Sequence, residues 1–258
     1  MVELIDLHKS FGEQKVLAGV NLKIPRGRLT FIMGRSGTGK SVLLKHMIGL
    51  LRPDRGKILI DGEDVTDYSP AQWQRLRRRF GFLFQEGALF DSMTVAENVA
   101  FPLMEHTRLS RREIEKRVEE KLAVVGLLEA RDKYPAELSG GMRKRAALAR
   151  ALALEPEIIL FDEPTTGLDP ILQVSIMKLI RETQRRFGLT GVVVSHDVPI
   201  ALQAADFIAM LHEGRVVAFG PPKEIRESDH PFVRQFLRSA FEGCLPGEGS
   251  HVQEKHGD

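Results

Sequence analysis

The chain has 258 residues, of which 43% are hydrophobic, and its 37 basic and 35 acidic side chains leave a formal net charge of +2. This size and composition provide a buried core and fit a single α/β domain, whereas the charge balance does not suggest a nucleic-acid-binding protein. The single cysteine, Cys244, excludes an internal disulfide and fits a reducing compartment.

Two further features concern membranes. Residues 1–6 lack the basic region and apolar core of a signal peptide. No run approaches the roughly 18 uninterrupted apolar residues of a membrane-spanning helix. We therefore expect any membrane role to come through a partner.

The chain begins with residues that favour strands. Residues 2–7 alternate apolar and polar side chains, and residues 16–17 and 20–24 predict further strands. These segments predict an antiparallel β region. Phe11, the one aromatic residue in the first turn, is either a ring that stacks on adenine or a core residue, and the sequence leaves both readings open.

A glycine-rich loop follows the next apolar run. Residues 29–33 predict a buried strand and residues 42–48 a packed helix, and the sequence between them fits G-x-x-x-x-G-K-S. Glycines let backbone N–H groups approach phosphate oxygens, and the positive end of the helix adds to that field. Lys40 is expected to reach the β- and γ-phosphates, and Ser41 to ligate Mg²⁺. The nucleotide-binding residues predicted here are Gly34, Arg35, Ser36, Gly37, Thr38, Gly39, Lys40 and Ser41.

Residues 57–60 and 80–84 predict two more strands, the second of which ends at Gln85. The basic helical segment between them, residues 73–79, is interpreted as a solvated face rather than a nucleic-acid contact. The sequence pattern then changes from strand-like to helical, and residues from about 86 to 155 predict an inserted helical subdomain. One helix opens with the capping box of Ser110 and Glu113, and a second runs from Ser139 to about residue 151.

Strands return at residue 158. Residues 158–161 predict a buried strand that ends in Asp162 and Glu163, and residues 191–196 predict another with the polar Ser195 and His196 at its C-terminal end. Helical residues 171–187 lie between them, and residues 207–219 predict a hairpin. Strands that alternate with helices predict a mostly parallel sheet, whose ligands sit at the carboxyl ends of the strands. We therefore expect one site to gather Gly34, Gln85, Asp162 and His196.

The chemistry of γ-phosphate hydrolysis explains these residue types. It requires a metal, a group that positions water, and donors for the developing charge. Asp162 is placed to hold Mg²⁺, Glu163 to polarise the attacking water, Gln85 to contact the metal and the water, and His196 to bond the γ-phosphate. Each alone also has a structural interpretation, such as an N-cap for a strand-end aspartate, and their joint order favours the catalytic one.

This order resembles the ATP-binding cassette ATPases, the nucleotide-binding subunits of ABC transporters. The resemblance covers roughly residues 2–225, with a Q-loop at Gln85, a Walker B aspartate at Asp162 and a switch histidine at His196. Phe11 takes the place of the adenine-stacking aromatic residue. Asp169 lies in the D-loop. The signature, usually L-S-G-G-Q, is Leu138, Ser139, Gly140, Gly141 and Met142.

The resemblance implies an α/β fold of the P-loop NTPase type, with a mostly parallel core sheet, an N-terminal antiparallel β subdomain and an inserted helical subdomain. It implies ATP and Mg²⁺ as cofactors, with Ser41, Gln85 and Asp162 at the metal. It implies Glu163, Gln85 and His196 as the catalytic residues. It also implies a head-to-tail homodimer in which the signature of one subunit closes over the ATP of the other. Met142 departs from the usual glutamine but leaves Ser139 and both glycines intact.

A narrower resemblance is to the Mce-associated ATPases of the MlaF type, through residues 84–90, residues 97–107 and Met142. It implies phospholipid transport between the inner and outer membranes of Gram-negative bacteria, at the cytoplasmic face of the inner membrane. The implied partners are an MlaE-like permease, an MlaD-like Mce protein and, in some systems, an MlaB-like STAS protein. The apolar residues 87–90 suit either a docking groove for the permease or core packing at a subdomain seam.

Two other classes of ABC protein do not fit this chain. An ATPase of DNA maintenance would need a long coiled coil, and residues 86–155 lack sustained heptads. A translation-associated protein would carry two cassettes, and this sequence has one glycine-rich loop of that type. An importer ATPase for a small solute shares every catalytic motif and remains the alternative.

The sequence predicts an ATPase domain over residues 1–228, followed by a C-terminal helix and flexible tail over residues 229–258. Phe232, Phe236, Leu237 and Phe241 form an apolar stripe at helical spacing. The stripe is predicted to dock on the partner ATPase subunit or an accessory protein, with packing on its own domain as the alternative. The polar, glycine-rich tail from Gly243 is predicted to be disordered.

Overall fold

The computed structural model describes the backbone of residues 1–242 and the side chains of residues 1–240. The predicted tail from Gly243 and the Phe241 side chain lie outside this part of the chain. Within it the strands are β1 (Val2–Phe11), β2 (Gln14–Ile24), β3 (Leu29–Met33), β4 (Arg55–Ile60), β5 (Glu63–Asp64), β6 (Phe80–Leu83), β7 (Ile158–Asp162), β8 (Thr190–Ser195), β9 (Phe207–His212) and β10 (Arg215–Gly220).

The α-helices of the described residues alternate with strands over much of the chain, and three of them follow one another between β6 and β7. They are α1 (Lys40–Met47), α2 (Pro70–Arg77), α3 (Val95–His106), α4 (Arg111–Val125), α5 (Gly140–Leu152), α6 (Pro170–Phe187), α7 (Val198–Ala204), α8 (Pro222–Arg226) and α9 (Pro231–Glu242).

The N-terminal strands form a four-stranded antiparallel sheet in the order β2-β1-β4-β5. This confirms the predicted antiparallel β region. The two strands predicted at residues 16–17 and 20–24 form one strand, because Ala18 pairs with His8 across the interruption.

The second sheet has six strands in the order β10-β9-β3-β8-β7-β6. All neighbours are parallel except β10, which pairs antiparallel with β9 at one edge. The parallel core sheet is therefore confirmed. Its register aligns Met33 with Ser195 and Asp162 with Val194, so the residues that follow β3, β7 and β8 meet at one edge.

Two apolar cores cover the two faces of the six-stranded sheet. Along β3, Phe31 and Met33 face the core shared with the helical subdomain, whereas Ile32 faces the core beneath the antiparallel sheet and α1. This alternation follows from the two-residue period of a strand, and both faces of the strand are apolar because both are covered.

The helical subdomain consists of α3, α4 and α5. The predicted capping box at the start of α4 is present, with Ser110 accepting a hydrogen bond from the Glu113 backbone N–H. Helix α3 was not identified individually from the sequence. Its interior contains Pro102, a residue that normally argues against a helix interior.

The apolar stripe of α9 packs on its own domain. The Phe232 ring stacks on the His212 ring at a centroid distance of 3.8 Å, and Phe232, Val233 and Phe236 are buried in the main core. Of the two alternatives that the sequence left open for this stripe, these contacts correspond to packing on the same chain.

Candidate functional site

A cavity of about 1050 Å³ lies at the carboxyl ends of the parallel strands. Its walls include the glycine-rich loop after β3, Phe11 from the end of β1, and Gln85, Glu163 and His196 from the ends of other strands. The structure thus brings most of the predicted site residues to one opening. The size suits a nucleotide, since ligand cavities typically span about 300–1,000 Å³.

The loop itself is held tightly between neighbouring strands. At Gly34 a Cβ atom would lie 2.3 Å from the backbone oxygen of Leu211, and at Gly39, where φ is +96°, it would lie 2.8 Å from Val16. Both positions therefore require glycine. The Thr38 hydroxyl donates to the Arg35 carbonyl oxygen at 2.9 Å, which closes the loop on itself.

Lys40 is the first residue of α1 and is almost fully buried. Its ammonium group donates to the carbonyl oxygens of Gly34 and Arg35, both at 2.9 Å. Burial lowers the pKa of Lys40, and the nearby carboxylates of Glu163 and Asp162 oppose that effect. A cation held among carbonyl oxygens in this way is positioned to take phosphate oxygens as additional partners.

Ser41 and Asp162 meet below the loop, where the serine hydroxyl donates to the carboxylate at 2.8 Å. Mg²⁺ in nucleotide sites takes one or two protein oxygen ligands and completes its shell with phosphates and waters. A hydroxyl and a carboxylate oxygen side by side next to the glycine-rich loop fit that partial ligand set.

Glu163 and His196 form a second polar group in the cavity wall. The His196 Nδ1 atom lies 2.9 Å from a Glu163 carboxylate oxygen, and the Thr166 hydroxyl donates to the same oxygen at 3.0 Å. Glu163 has a φ of +49°, an uncommon conformation for a residue other than glycine. The His196 ring is largely exposed, so it can meet a ligand while it holds the carboxylate.

Phe11 is 47% exposed and lines the cavity, which favours the ligand-stacking reading of this residue over the core reading. The Lys9 ammonium group also lies 5.6 Å from the centroid of the Phe11 ring.

Gln85 is an exposed residue of the cavity wall, and its backbone oxygen accepts a hydrogen bond from Lys144.

The residues predicted as signature and D-loop lie elsewhere. Ser139 caps α5 and accepts a hydrogen bond from the Met142 backbone N–H at 3.3 Å, and Gly140 and Gly141 open that helix. None of these residues is among those that line the cavity. Asp169 caps α6 by accepting from the backbone N–H groups of Ile171 and Leu172 at 3.0 Å.

Sequence reasoning missed part of the cavity wall. Phe236, Ser239 and Ala240 of α9 line it, as does Thr166. The apolar stripe of α9 could be seen in the sequence. Its helical spacing indicates that one face of the helix is buried, but it does not indicate which surface that face contacts.

The chain is similar to known proteins along most of its length. The family model described as ABC transporter matches residues 17–166. The probable ribonucleotide transport ATP-binding protein mkl of Mycobacterium tuberculosis is 49% identical over 92% of this chain, and the chain spans 66% of that protein. The intermembrane phospholipid transport system ATP-binding protein MlaF of Escherichia coli is 45% identical over 95% of this chain and 91% of its own length.

Two solved structures are similar along most of their lengths. A dimeric ATP-binding cassette in a post-hydrolysis state, bound to ADP and Pi, superimposes with a TM-score of 0.78 at 36% identity, covering 86% of this chain and 99% of that one. The cbiO1 protein of Clostridium perfringens, part of the ABC transporter complex cbiONQ, gives a TM-score of 0.82 at 35% identity, covering 94% and 96%. The chain is therefore an ATP-binding cassette of the ABC transporter family.

Proposed function

We propose that this chain is the ATP-hydrolysing subunit of a transporter that moves phospholipid between the inner and outer membranes of a Gram-negative bacterium. The observation that carries the hydrolytic part is the convergence of Lys40, the Ser41–Asp162 pair and the Glu163–His196 pair on one cavity. The phospholipid part is supported by the similarity to MlaF, which extends over 91% of that protein.

In this mechanism the loop amides and Lys40 bind the β- and γ-phosphates, and Phe11 stacks on the adenine. Lys40 exchanges its bonds to the loop carbonyl oxygens for bonds to phosphate oxygens. Ser41, Asp162 and Gln85 would hold Mg²⁺, which would neutralise charge on the phosphates. Glu163 accepts a proton from the attacking water. His196 orients that carboxylate before ATP binds and donates toward the γ-phosphate once it is bound.

The proposal includes a head-to-tail homodimer. Ser139, Gly140 and Gly141 begin a helix outside the cavity, and the start of a helix attracts anions. A second copy would bring these residues over the open side of the bound nucleotide. Asp169 would stand at the same interface, where it holds the start of α6.

Membrane attachment is proposed to occur through an MlaE-like permease, with an MlaD-like Mce protein and an MlaB-like STAS protein as further partners. No helix within residues 1–242 combines the length and apolarity that a membrane crossing requires. The rings of Phe84 and Phe90 and the Met104 side chain are exposed on the loop of Gln85 and on α3. They offer an apolar surface for the permease, at the cytoplasmic face of the inner membrane.

An importer ATPase for a small solute is the second candidate function, and the name of the mycobacterial relative, a probable ribonucleotide transport protein, favours it. The two functions share the ATPase site and differ in the cargo of the permease.

Purification of the assembled complex separates these candidates. We expect phospholipids to co-purify, and we expect ATP-dependent transfer of a labelled phospholipid from complex-containing liposomes to acceptor vesicles, with the Glu163→Gln complex as the inactive control. ATP hydrolysis that responds to ribonucleotides or another small solute, without lipid transfer, would contradict the phospholipid function and favour the importer.

A further inference from the structure

Residues 84–90, here named the Gln85 loop, leave β6 and cross to the helical subdomain. Gly87 and Ala88 have φ values of +79° and +50°, so the backbone turns sharply at two successive residues. The left-handed conformation at Ala88 is unfavourable for a residue with a side chain and persists only when surrounding contacts hold it. Those contacts come from the helical subdomain.

Helix α5 supplies the first set of contacts. The Lys144 ammonium donates to the backbone oxygen of Gln85, and the Arg150 guanidinium donates to those of Gly87 at 2.9 Å and Ala88 at 2.7 Å. Lys144 is only 7% exposed, and burial lowers its pKa. A buried cation that lost its partner would be costly, so this bond resists separation of the loop from the helix.

Helix α3 holds the far end of the same loop. The fully buried Asn98 side chain accepts from the Phe90 backbone N–H at 2.8 Å and donates to the Phe90 backbone oxygen at 3.1 Å. The same amide also donates to the backbone oxygens of Met93 and Thr94. Both ends of the Gln85 loop are therefore bonded to the helical subdomain by side chains.

Direct packing adds to these bonds. A Cβ atom at Gly87 would lie 3.5 Å from the Cβ of Ala147, so the loop backbone rests on α5 itself. Helix α5 begins at the signature, immediately after Ser139, and Lys144 and Arg150 lie on the same 13-residue helix. A single rigid element thus carries the signature at its start and the bonds to the Gln85 loop along its length.

We propose that Lys144 and Arg150 are positioning residues that make the Gln85 loop move with the signature helix. This inference rests on the dimer proposed above. When Ser139 closes over the partner's nucleotide, Gln85 is displaced in the subunit's own cavity. The two ATP sites would then be coupled through α5, independently of the Glu163–His196 pair. Each residue acts through the loop and not on the nucleotide.

Hydrogen exchange of the purified full-length chain tests the physical link. The reporters are the backbone amides of Gly87 and Phe90, which bond to the Phe84 oxygen and the Asn98 side chain, both at 2.8 Å. In Lys144→Met we expect these amides to exchange about tenfold faster, since local opening becomes easier. Unchanged exchange at both amides would overturn the proposal.

Lys121→Met is the matched control. Lys121 is also buried in the helical subdomain, but it bonds to Glu155 at 3.1 Å and lies 5.2 Å from the centre of the Phe187 ring, away from the Gln85 loop. The Lys121→Met variant should have a lower free energy of unfolding, but its Gly87 and Phe90 backbone amides should not exchange faster than in the parent. Equal acceleration in the two variants would mean general loosening and would also overturn the proposal.

The assembled transporter tests the coupling. Arg150→Gln should reduce the Hill coefficient of ATP hydrolysis from about 2 toward 1, because coupling between two sites is lost. The Kd of a fluorescent ATP analogue should stay within about twofold, and Arg150→Lys, which keeps a cationic donor, should restore part of the coefficient. An unchanged Hill coefficient in Arg150→Gln would refute the coupling.

A parental complex without ATP hydrolysis would refute the proposed function. The exchange experiment would still decide whether the Gln85 loop moves with α5.

Discussion

At the scale of single residues, Glu163 combines an uncommon backbone conformation with two side-chain partners. Its carboxylate is held by His196 at 2.9 Å and Thr166 at 3.0 Å, beside the last residue of β7. Glutamine has nearly the same shape but does not accept a proton at neutral pH. Glu163→Gln should therefore retain ATP binding and lose about 10²–10⁴-fold in the rate of hydrolysis, measured with the assembled transporter.

Glu213→Gln provides the control for this substitution. Glu213 is also a glutamate with positive φ, at +46°, but it is exposed in the turn between β9 and β10. Hydrolysis in this variant should match the parent. Parental turnover in Glu163→Gln itself would show that another group accepts the proton.

Lys40 makes a separate prediction about binding. Its ammonium lies buried between the carbonyl oxygens of Gly34 and Arg35, where phosphate oxygens would add charge-assisted bonds worth about 1.5–3 kcal/mol. Lys40→Ala should raise the Kd of a fluorescent ATP analogue about ten- to a hundredfold while the fold persists. Lys45→Ala, an exposed position on the same helix, should leave the Kd unchanged. Equal Kd values in the two variants would contradict the assignment of Lys40 to the phosphates.

At the scale of elements, α9 lines the cavity and also packs on the core of its own domain. Its inner face is buried through Phe232, Val233 and Phe236, and Phe232 stacks on His212 at the end of β9. Phe232→Ala should lower the free energy of unfolding by about 3 kcal/mol, measured by denaturant titration, because a buried ring is replaced by a cavity. Gln235→Ala on the exposed face should change it by less than about 0.5 kcal/mol. If the two variants unfold at the same denaturant concentration, the ring does not stabilise this domain.

At the scale of the whole molecule, the signature lies outside the cavity of its own chain. Ser139→Arg places a bulky cation at the start of α5, which is proposed to face the partner's nucleotide. Hydrolysis by the assembled transporter should fall at least about a hundredfold, whereas the Kd for ATP of the isolated subunit should stay within about twofold. A matched loss of an N-cap, Ser110→Arg at the start of α4, should retain hydrolysis. Hydrolysis at the parental rate in Ser139→Arg would contradict the sandwich dimer.

The sequence alone was sufficient for the parts of this protein whose chemistry is contiguous. The glycine-rich loop, the apolar strand before it and the helix after it occupy consecutive residues, so their types and spacing predict a phosphate site. Strands that end at Asp162 and His196 could be predicted to meet that loop, because the carboxyl ends of parallel strands share one edge of a sheet. The order of these motifs resembles that of the ATP-binding cassette ATPases, and the family match over residues 17–166 confirms this resemblance.

Only the tertiary structure decided which surfaces face one another. The stripe of α9 has the period of a buried helix face, but nothing in that period states that it closes a wall of the cavity next to the glycine-rich loop. Lys144 and Arg150 read as ordinary basic residues of a helix, and their partners are backbone oxygens some 60 residues away. Such contacts join segments distant in the chain, and backbone carbonyl groups are the same at every residue. Their pairing is therefore set by the packing of α5 on the Gln85 loop and not by any local pattern of side chains.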